Sequence, residues 1–222
     1  MENYAKLYHL LFNAITDALE QMESQNYGNA KDMLIAAQQK AEEMRILNLG
    51  VMKDGKILLK KDWDGEIRRN QYSASKSFTS IAVGMACKEG LLSLDEKLCE
   101  AFEEEMPDNP SSFLCLATVR DLLTMCLGQD SVYLMGEQRP LMEEKDWVRF
   151  TLSRPFTQEP DTHFLYNNAG PYLAGILVQR RAGCDLVHYL MPRLFEPMGI
   201  RRPVWETDPL GYTFGAGGLF LC

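Results

Sequence analysis

The sequence places a hydroxyl and an amine one helical turn apart, because Lys76 follows Ser73 by three residues at the start of an apolar segment. If a helix begins at about Ser73, both side chains lie on one face. The N-terminus of a helix favours developing negative charge. A lysine buried among Phe78 and Ile81 can lose its proton near neutral pH and act as a base. The spacing therefore indicates an S-x-x-K acyl-transfer serine.

A simpler interpretation of the same tetrapeptide is structural, with Ser73 as an N-cap and Lys76 as a solvated first-turn residue. A second motif favours chemistry: Tyr166 and Asn168 form a Y-x-N tripeptide about 90 residues downstream, ahead of an apolar helix predicted over 170–182. Tyr166 can also be interpreted as a core tyrosine. Another Y-x-N, residues 27–29, lies where a turn between two helices is expected.

Further blocks accompany these motifs in a fixed order, at 54–56, 89–95, 118–124, 194–200 and 215–219. With Ser73–Lys76 and Tyr166–Asn168, they make residues 47–222 resemble the serine beta-lactamase and penicillin-binding-protein superfamily. The likeness is greatest to the class C beta-lactamase-like serine hydrolases, which include esterases, D-amino-acid peptidases and nylon-oligomer hydrolases.

The resemblance implies a role for each motif residue. Ser73 would be the acylated nucleophile, and Lys76 would hold the proton network of its hydroxyl. Tyr166, whose unperturbed pKa is near ~10, would be drawn toward phenolate by Lys76 and share the role of base. Asn168 would hydrogen-bond the amide side of the substrate. The backbone N–H of Ser73 would be one of the two donors that an oxyanion hole needs.

The second oxyanion donor is where the sequence departs from the family pattern. In the family it lies with a third motif, Lys-Thr-Gly or His-x-Gly, on a strand well beyond the Gly-Gly-Leu segment. Neither tripeptide occurs after Asn168. We therefore expect either that the chain is a fragment whose C-terminal strands are missing or that another chain supplies them.

The composition of the chain excludes several classes of binding partner. The net charge is −8 and the pI is about 5.0, which argues against nucleic acid because phosphate binding needs a basic face. No apolar run is long enough to span a membrane, and the start lacks the pattern of a signal peptide, so a cytoplasmic protein with no membrane partner is expected. The histidines show no metal-ligand spacing; we expect no metal and no cofactor.

Periodicity divides the chain into two parts. Residues 1–45 predict a helical hairpin with two apolar seams, interrupted at 25–28. Residues 46–222 predict an incomplete serine hydrolase domain, which opens with two strands around the turn Asp54-Gly55. Helices are predicted at 74–90, 118–127, 143–152, 170–182 and 185–196. The fold class is α+β: a beta-lactamase-like (DD-peptidase) fold with a helical subdomain and an antiparallel sheet.

Two functions from different classes fit the sequence. The first is a serine hydrolase that opens an amide or ester, such as a beta-lactam, a D-amino-acid peptide or a carboxylic ester, through an acyl-enzyme on Ser73. Its partner would be a small molecule or a short peptide. The second is a non-catalytic binding protein with a degenerate pocket. In either case, the exposed hairpin edge or the N-terminal helices are expected to allow self-association.

Overall fold

A computed structural model describes residues 2–24, 26–43, 48–63, 65 and 67–222. The chain forms two compact units, Met1–Ile67 and Arg68–Cys222. In the first unit, helix α1 spans Glu2–Glu23 and helix α2 spans Tyr27–Glu43. The two predicted N-terminal helices are therefore present, and the β-hairpin that follows them belongs to the same unit.

Small residues of the predicted seams are buried in the helix pair, among them Ala18 in α1 and Ala30 in α2. Seam positions 4, 8, 41 and 44 lie outside the side chains that the structure describes. An apolar cavity of about 360 Å³ is bordered by both helices and by the strand residues Val51, Leu58 and Leu59. The helix seams and the hairpin thus face a common apolar space within the first unit.

The hairpin consists of β1 (Asn48–Lys53) and β2 (Lys56–Asp62), which pair antiparallel. Asp54 and Gly55 both have positive φ, 49° and 74°, the conformation of a two-residue primed turn. The predicted turn is therefore confirmed. A shift of register between Val51 and Met52 marks a bulge, which increases the local twist of a strand pair.

The second unit is mostly helical around a small antiparallel sheet. Strand β3 (Arg69–Asn70) pairs with β5 (Leu219–Leu221), and β5 pairs with β4 (Val204–Trp205), giving the order β3-β5-β4. The α-helices are α3 (Ser75–Lys88), α4 (Leu98–Ala101), α5 (Ser112–Leu116), α6 (Val119–Thr124), α7 (Trp147–Leu152), α8 (Ala169–Ala182) and α9 (Leu186–Leu190). The α+β class expected from the sequence is confirmed.

The core of the second unit forms around α8, whose residues 169–179 are all buried. Apolar side chains on every face of this helix account for its burial, since a helix that is apolar all round belongs inside a protein. Gly170 permits the close approach of α6, because a Cβ at this position would lie 2.4 Å from the backbone oxygen of Leu122. The N-terminus of α8, where the Y-x-N motif ends, is therefore held firmly.

Several predicted helices are shorter in the structure. The helix expected over 185–196 is α only to Leu190 and continues as a π-helical turn, Met191–Phe195, in which Pro192 lacks the N–H that an α-helix needs. The helix expected over 143–152 begins at Trp147, where the side chain of Asp146 accepts a hydrogen bond from the N–H of Arg149.

Candidate active site

Ser73 lies in a short 3-10 turn, Tyr72–Ala74, between β3 and α3. The α-helix begins at Ser75, one residue after the predicted start at 74, and Tyr72 ahead of it has the left-handed φ of 45°. Strand β5 fixes this turn from both sides: the N–H of Gln71 donates to the oxygen of Leu219 (2.7 Å), and the N–H of Leu219 donates to Ser75 Oγ (3.2 Å). Ser73 itself is exposed, so its hydroxyl is accessible to a substrate.

Lys76 lies on the first turn of α3 and contacts three oxygens through Nζ. The distances are 3.2 Å to Ser73 Oγ, 2.7 Å to Asn168 Oδ1 and 2.6 Å to the carbonyl oxygen of Ala216. The two shorter bonds go to atoms that can only accept. A neutral amine has two N–H groups and one lone pair, so both N–H groups can remain bonded to Asn168 and Ala216. The lone pair then faces the hydroxyl of Ser73.

Tyr166 covers Lys76, whose Nζ lies 5.1 Å from the centroid of the phenol ring. Partial burial opposes ionisation of the phenol. Hydrogen-bond interactions with Ser73 and Lys76, together with the positive charge of Lys76, outweigh that effect and lower the pKa of Tyr166. The side chain is 42% exposed, which excludes the alternative interpretation of Tyr166 as a core tyrosine.

Asn168 precedes α8 and joins Lys76 to a neighbouring loop, because its Nδ2 donates to the carbonyl oxygen of Leu134 at 2.9 Å. One N–H of the amide is used in this bond, and the other can still donate to a bound molecule. Leu134 is fully buried and has a left-handed φ of 59°, a strained conformation for a bulky residue. The structure thus brings Ser73, Lys76, Tyr166 and Asn168 together.

Asn167 lies between the two motif residues and anchors them to the loop 129–134. Its Oδ1 accepts from the N–H of Tyr133 (2.9 Å) and of Ala169 (3.1 Å). Its Nδ2 donates to Gln129 Oε1 (2.9 Å) and to the oxygen of Ser131 (3.2 Å). Asn167 is only 4% exposed, and these four bonds use the full capacity of its amide.

The carbonyl that accepts from Lys76 belongs to the segment 214–218. Thr79, which is buried one turn beyond Lys76 in α3, donates through Oγ1 to the oxygen of Gly215 (2.7 Å). A Cβ at position 215 would lie 2.8 Å from the oxygen of Pro171 in α8. Position 215 therefore requires glycine for packing, and the segment lies directly against the two helices that carry the site.

Residues 32–216 match the sequence model of the family described as Beta-lactamase. The chain belongs to the Beta-lactamase family. Its sequence is 26% identical over 178 residues to a D-aminopeptidase of Brucella anthropi, a match that covers 72% of this chain and 32% of the relative. It is 29% identical over 147 residues to a monacolin J acid methylbutanoyltransferase of Aspergillus terreus, covering 58% of this chain and 35% of the relative.

The fold is that of solved members of the beta-lactamase and penicillin-binding-protein group. The octameric penicillin-binding protein homologue of Pyrococcus abyssi superposes with a TM-score of 0.64 at 19% sequence identity, covering 87% of this chain and 53% of that chain. The expected beta-lactamase-like fold is therefore confirmed. The chain spans about a third of the length of the curated relatives it matches and about half of the solved chain.

The electrostatics of this Beta-lactamase family site centre on Lys76. Burial lowers the pKa of Lys76 from its ordinary value of 10.5, and the positive charge of Arg139 acts in the same direction. Hydrogen bonding to Tyr166 and the charge of its phenolate oppose this change. Ile81, expected to bury Lys76, is 41% exposed. The burial of Lys76 comes from the surrounding elements more than from its own helix.

Two positions that matter to this geometry, Ala216 and Arg139, carried no clear sequence signal. Ala216 acts through a backbone carbonyl, which every residue has, although it lies in one of the blocks that carried the family resemblance. Arg139 lies in a loop with no recognisable motif. Across the described residues, no group of three or more His, Cys, Asp or Glu side chains is placed to hold a metal ion. The described helices include none that is long and apolar enough to span a bilayer.

Proposed function

We propose that this chain is a serine hydrolase of class C beta-lactamase type, which opens an amide or ester through an acyl-enzyme on Ser73. The observation that carries the proposal is the position of Lys76 Nζ. It lies 3.2 Å from the Ser73 hydroxyl and is also held by Asn168 and Ala216. This is the arrangement of an activated nucleophile, in which a base within hydrogen-bond reach is itself oriented by further groups.

In the first half of the reaction, the neutral amine of Lys76 accepts the proton of Ser73 Oγ as the oxygen attacks the carbonyl carbon. The new C–O bond forms as the bond to the leaving amine or alkoxide breaks. Tyr166 lies beside both Ser73 and Lys76, so the proton can pass through its phenol to the leaving group. In the second half, the oxygen of water or of another hydroxyl acceptor attacks the ester carbon and the C–Oγ bond of the acyl-enzyme breaks. The proton lost by the acceptor returns to Ser73 Oγ, and the acyl product is released.

The substrate class is an acyl compound with an amide or ester bond: a beta-lactam, a D-amino-acid peptide or a carboxylic ester. Two of the relatives support this range, since one is named as a D-aminopeptidase and the other as a methylbutanoyltransferase. Both reactions break and form bonds at an acyl carbon. The remaining N–H of Asn168 is available to orient the amide or ester group.

The expected setting is a cytoplasmic enzyme that acts on a small molecule or a short peptide and assembles with copies of itself. The acidic charge of −8 disfavours nucleic acid as a partner. The hairpin β1–β2 is mainly exposed along its length, and exposed strand edges favour pairing between chains. One relative of the same fold is described as octameric.

A burst experiment with p-nitrophenyl acetate tests the proposal. The chain should release close to one equivalent of p-nitrophenolate rapidly, followed by slower turnover as the acyl-enzyme breaks down. Ser73→Ala should show no burst, whereas Ser77→Ala, on an exposed position of α3, should retain it. A folded chain with no burst and no difference between these variants would favour the alternative, a binding protein without turnover.

A further inference from the structure

We propose that Arg139 is a positioning residue for the Ser73–Lys76 pair, acting through Glu206 and Phe214 on the segment 214–218 that holds Lys76. The inference rests on the proposed acylation of Ser73 and adds a group that neither motif contains. Arg139 begins a 3-10 turn, Arg139–Leu141, in the loop between α6 and α7. Its side chain is about a quarter exposed, which is low for an arginine.

Glu206 is the link between Arg139 and the segment 214–218. The N–H of Glu206 donates to the oxygen of Gly218 (2.9 Å), and its own oxygen accepts from the N–H of Phe214 (2.8 Å). The backbone of Glu206 is therefore hydrogen-bonded to both ends of the segment, at Phe214 and at Gly218. Its carboxylate lies directly against the segment, because a Cβ at Gly218 would be 2.5 Å from Glu206 Oε2.

The side chain of Arg139 contacts both Glu206 and the segment 214–218. Its Nη1 donates to Glu206 Oε2 at 3.2 Å, and its Cζ lies 4.3 Å from the ring centroid of Phe214. Phe214 is 1% exposed and packs edge-on against Trp147, with the ring centroids 5.8 Å apart. Ala216 lies between Phe214 and Gly218, so an arginine that fixes both flanks also fixes the carbonyl that accepts from Lys76.

The protein satisfies the guanidinium of Arg139 only in part. Its Nε is buried and has no hydrogen-bond partner among the described residues. A buried N–H without a partner costs roughly 1–3 kcal/mol of stability. A pair that served only to stabilise the fold would gain little from such an arrangement, since replacing a part-buried ion pair by apolar residues is often neutral.

Arg139 also contributes charge. Among the described residues, the groups whose charge acts on Lys76 are Tyr166, ahead of α8, and Arg139, whose guanidinium is itself paired with the carboxylate of Glu206. The positive charge of Arg139 disfavours the ammonium form of Lys76 and so favours the neutral amine. Arg139 therefore holds the carbonyl that orients Lys76 and also promotes the protonation state that a base requires.

The two members of the Arg139–Glu206 pair should consequently shift the pH dependence in opposite directions. Arg139→Gln removes the positive charge and leaves a carboxylate, so Lys76 should titrate at higher pH. Glu206→Gln leaves Arg139 unscreened, so Lys76 should titrate at lower pH. The double variant Arg139→Gln/Glu206→Gln should return toward the wild-type midpoint. A purely structural brace would not produce opposite shifts, because either substitution would break it.

The experiment measures the rate of labelling of Ser73 by a fluorophosphonate as a function of pH, in the full chain and in these three variants, with Arg139→Lys as the matched control. The midpoint should rise in Arg139→Gln, fall in Glu206→Gln and change little in Arg139→Lys, which keeps the charge. Near neutral pH, Arg139→Gln should be labelled on the order of 10-fold more slowly than the wild type. Thermal melts identify any variant that has unfolded.

The failure of this inference is distinguishable from the failure of the proposed function. If the wild type is not labelled at Ser73, the proposed acylation itself is wrong. If the wild type is labelled and the folded variants share its midpoint, or all shift in one direction, Arg139 is not a positioning residue for Lys76. If Arg139→Gln does not fold, Glu206→Gln alone still tests the inference. A midpoint of the labelling pH profile that rises or stays unchanged in Glu206→Gln would overturn it.

Discussion

The amine of Lys76 donates to the backbone carbonyl of Ala216 at a distance of 2.6 Å, although the two residues are 140 positions apart in the chain. This bond joins α3, the helix that follows Ser73, to the segment 214–218, which precedes strand β5. With Asn168 it occupies two positions around the nitrogen and leaves the third toward Ser73. The geometry of the proposed base is thus set by contacts from three separate parts of the sequence.

Lys76→Ala and Tyr166→Phe should each slow acylation of Ser73 by a large factor, on the order of 10² to 10⁴, the usual effect of losing a positioned acid or base. The losses should not multiply, because both residues belong to one proton network. Labelling rates of the two single variants and the double variant check this. Full multiplication of the two effects would mean that the residues act independently.

The pH dependence of acylation should follow the neutral form of Lys76. Burial lowers the pKa of Lys76 from 10.5, so the rate should rise with pH and level off with a midpoint below that value. Hydrogen bonding and charge from Tyr166 raise the same pKa, so Tyr166→Phe should move the midpoint to lower pH even as the rate falls. Lys76→Arg, which cannot lose its proton in this range, should show no rise. Labelling rates measured from pH 6 to 11, with Ser73→Ala as background, test both the rise with pH in the wild type and the lower midpoint in Tyr166→Phe.

Asn167→Asp should destabilise the second unit by about 3 kcal/mol at neutral pH, because it removes two donors and places a carboxylate against Gln129 Oε1 and the oxygen of Ser131. The pKa of the new carboxyl should be raised above its value in the unfolded chain. The deficit should therefore shrink as the pH falls, since protonation restores one donor. Urea unfolding at pH 7 and pH 4 measures the effect relative to the wild type. Asn109→Asp, at an exposed position, is the matched control, and an equal effect there would refute this account.

Gly215→Ala should lower both stability and acylation, because its Cβ would lie 2.8 Å from the oxygen of Pro171 and 3.0 Å from Thr79 Oγ1. A clash of this kind typically costs about 1–3 kcal/mol. The displaced segment would also move the Ala216 carbonyl away from Lys76. Gly84→Ala is the control: it lies in α3, and apart from the backbone of its own helix no atom lies within 4 Å of the new Cβ, so it should stabilise by up to about 1 kcal/mol. The measurements are the melting temperature and the labelling rate of each variant. Equal values for Gly215→Ala and Gly84→Ala would contradict the packing argument.

The sequence predicted the motif residues that the structure brings together, because their signal is local. A three-residue spacing places Ser73 and Lys76 on one turn, and Tyr166 and Asn168 precede a helix whose apolar residues are visible in the sequence. The turn Asp54-Gly55 was predictable for the same reason, since its backbone conformation is one that few residue pairs adopt.

The remaining features depend on long-range contacts that have no local pattern. Arg180 Nη2 lies 2.7 Å from Glu105 Oε1, and Glu105 is only 8% exposed. Neither residue indicates its partner, because the two are 75 positions apart. The left-handed backbone of Tyr72, ahead of α3, depends in the same way on the pairing of Gln71 with β5 and on the bond from the N–H of Tyr72 to Asn70 Oδ1.

Peptide mapping after fluorophosphonate labelling tests most directly whether Ser73 is the acylated nucleophile. The wild-type chain should carry one adduct, and tryptic digestion should assign it to Ser73. The adduct should be absent from Ser73→Ala and present in Ser75→Ala if that variant remains folded, since the buried Oγ of Ser75 accepts from the N–H of Leu219. An adduct that persists in Ser73→Ala, or that maps to Ser75 or Ser77 in the wild type, would contradict the assignment.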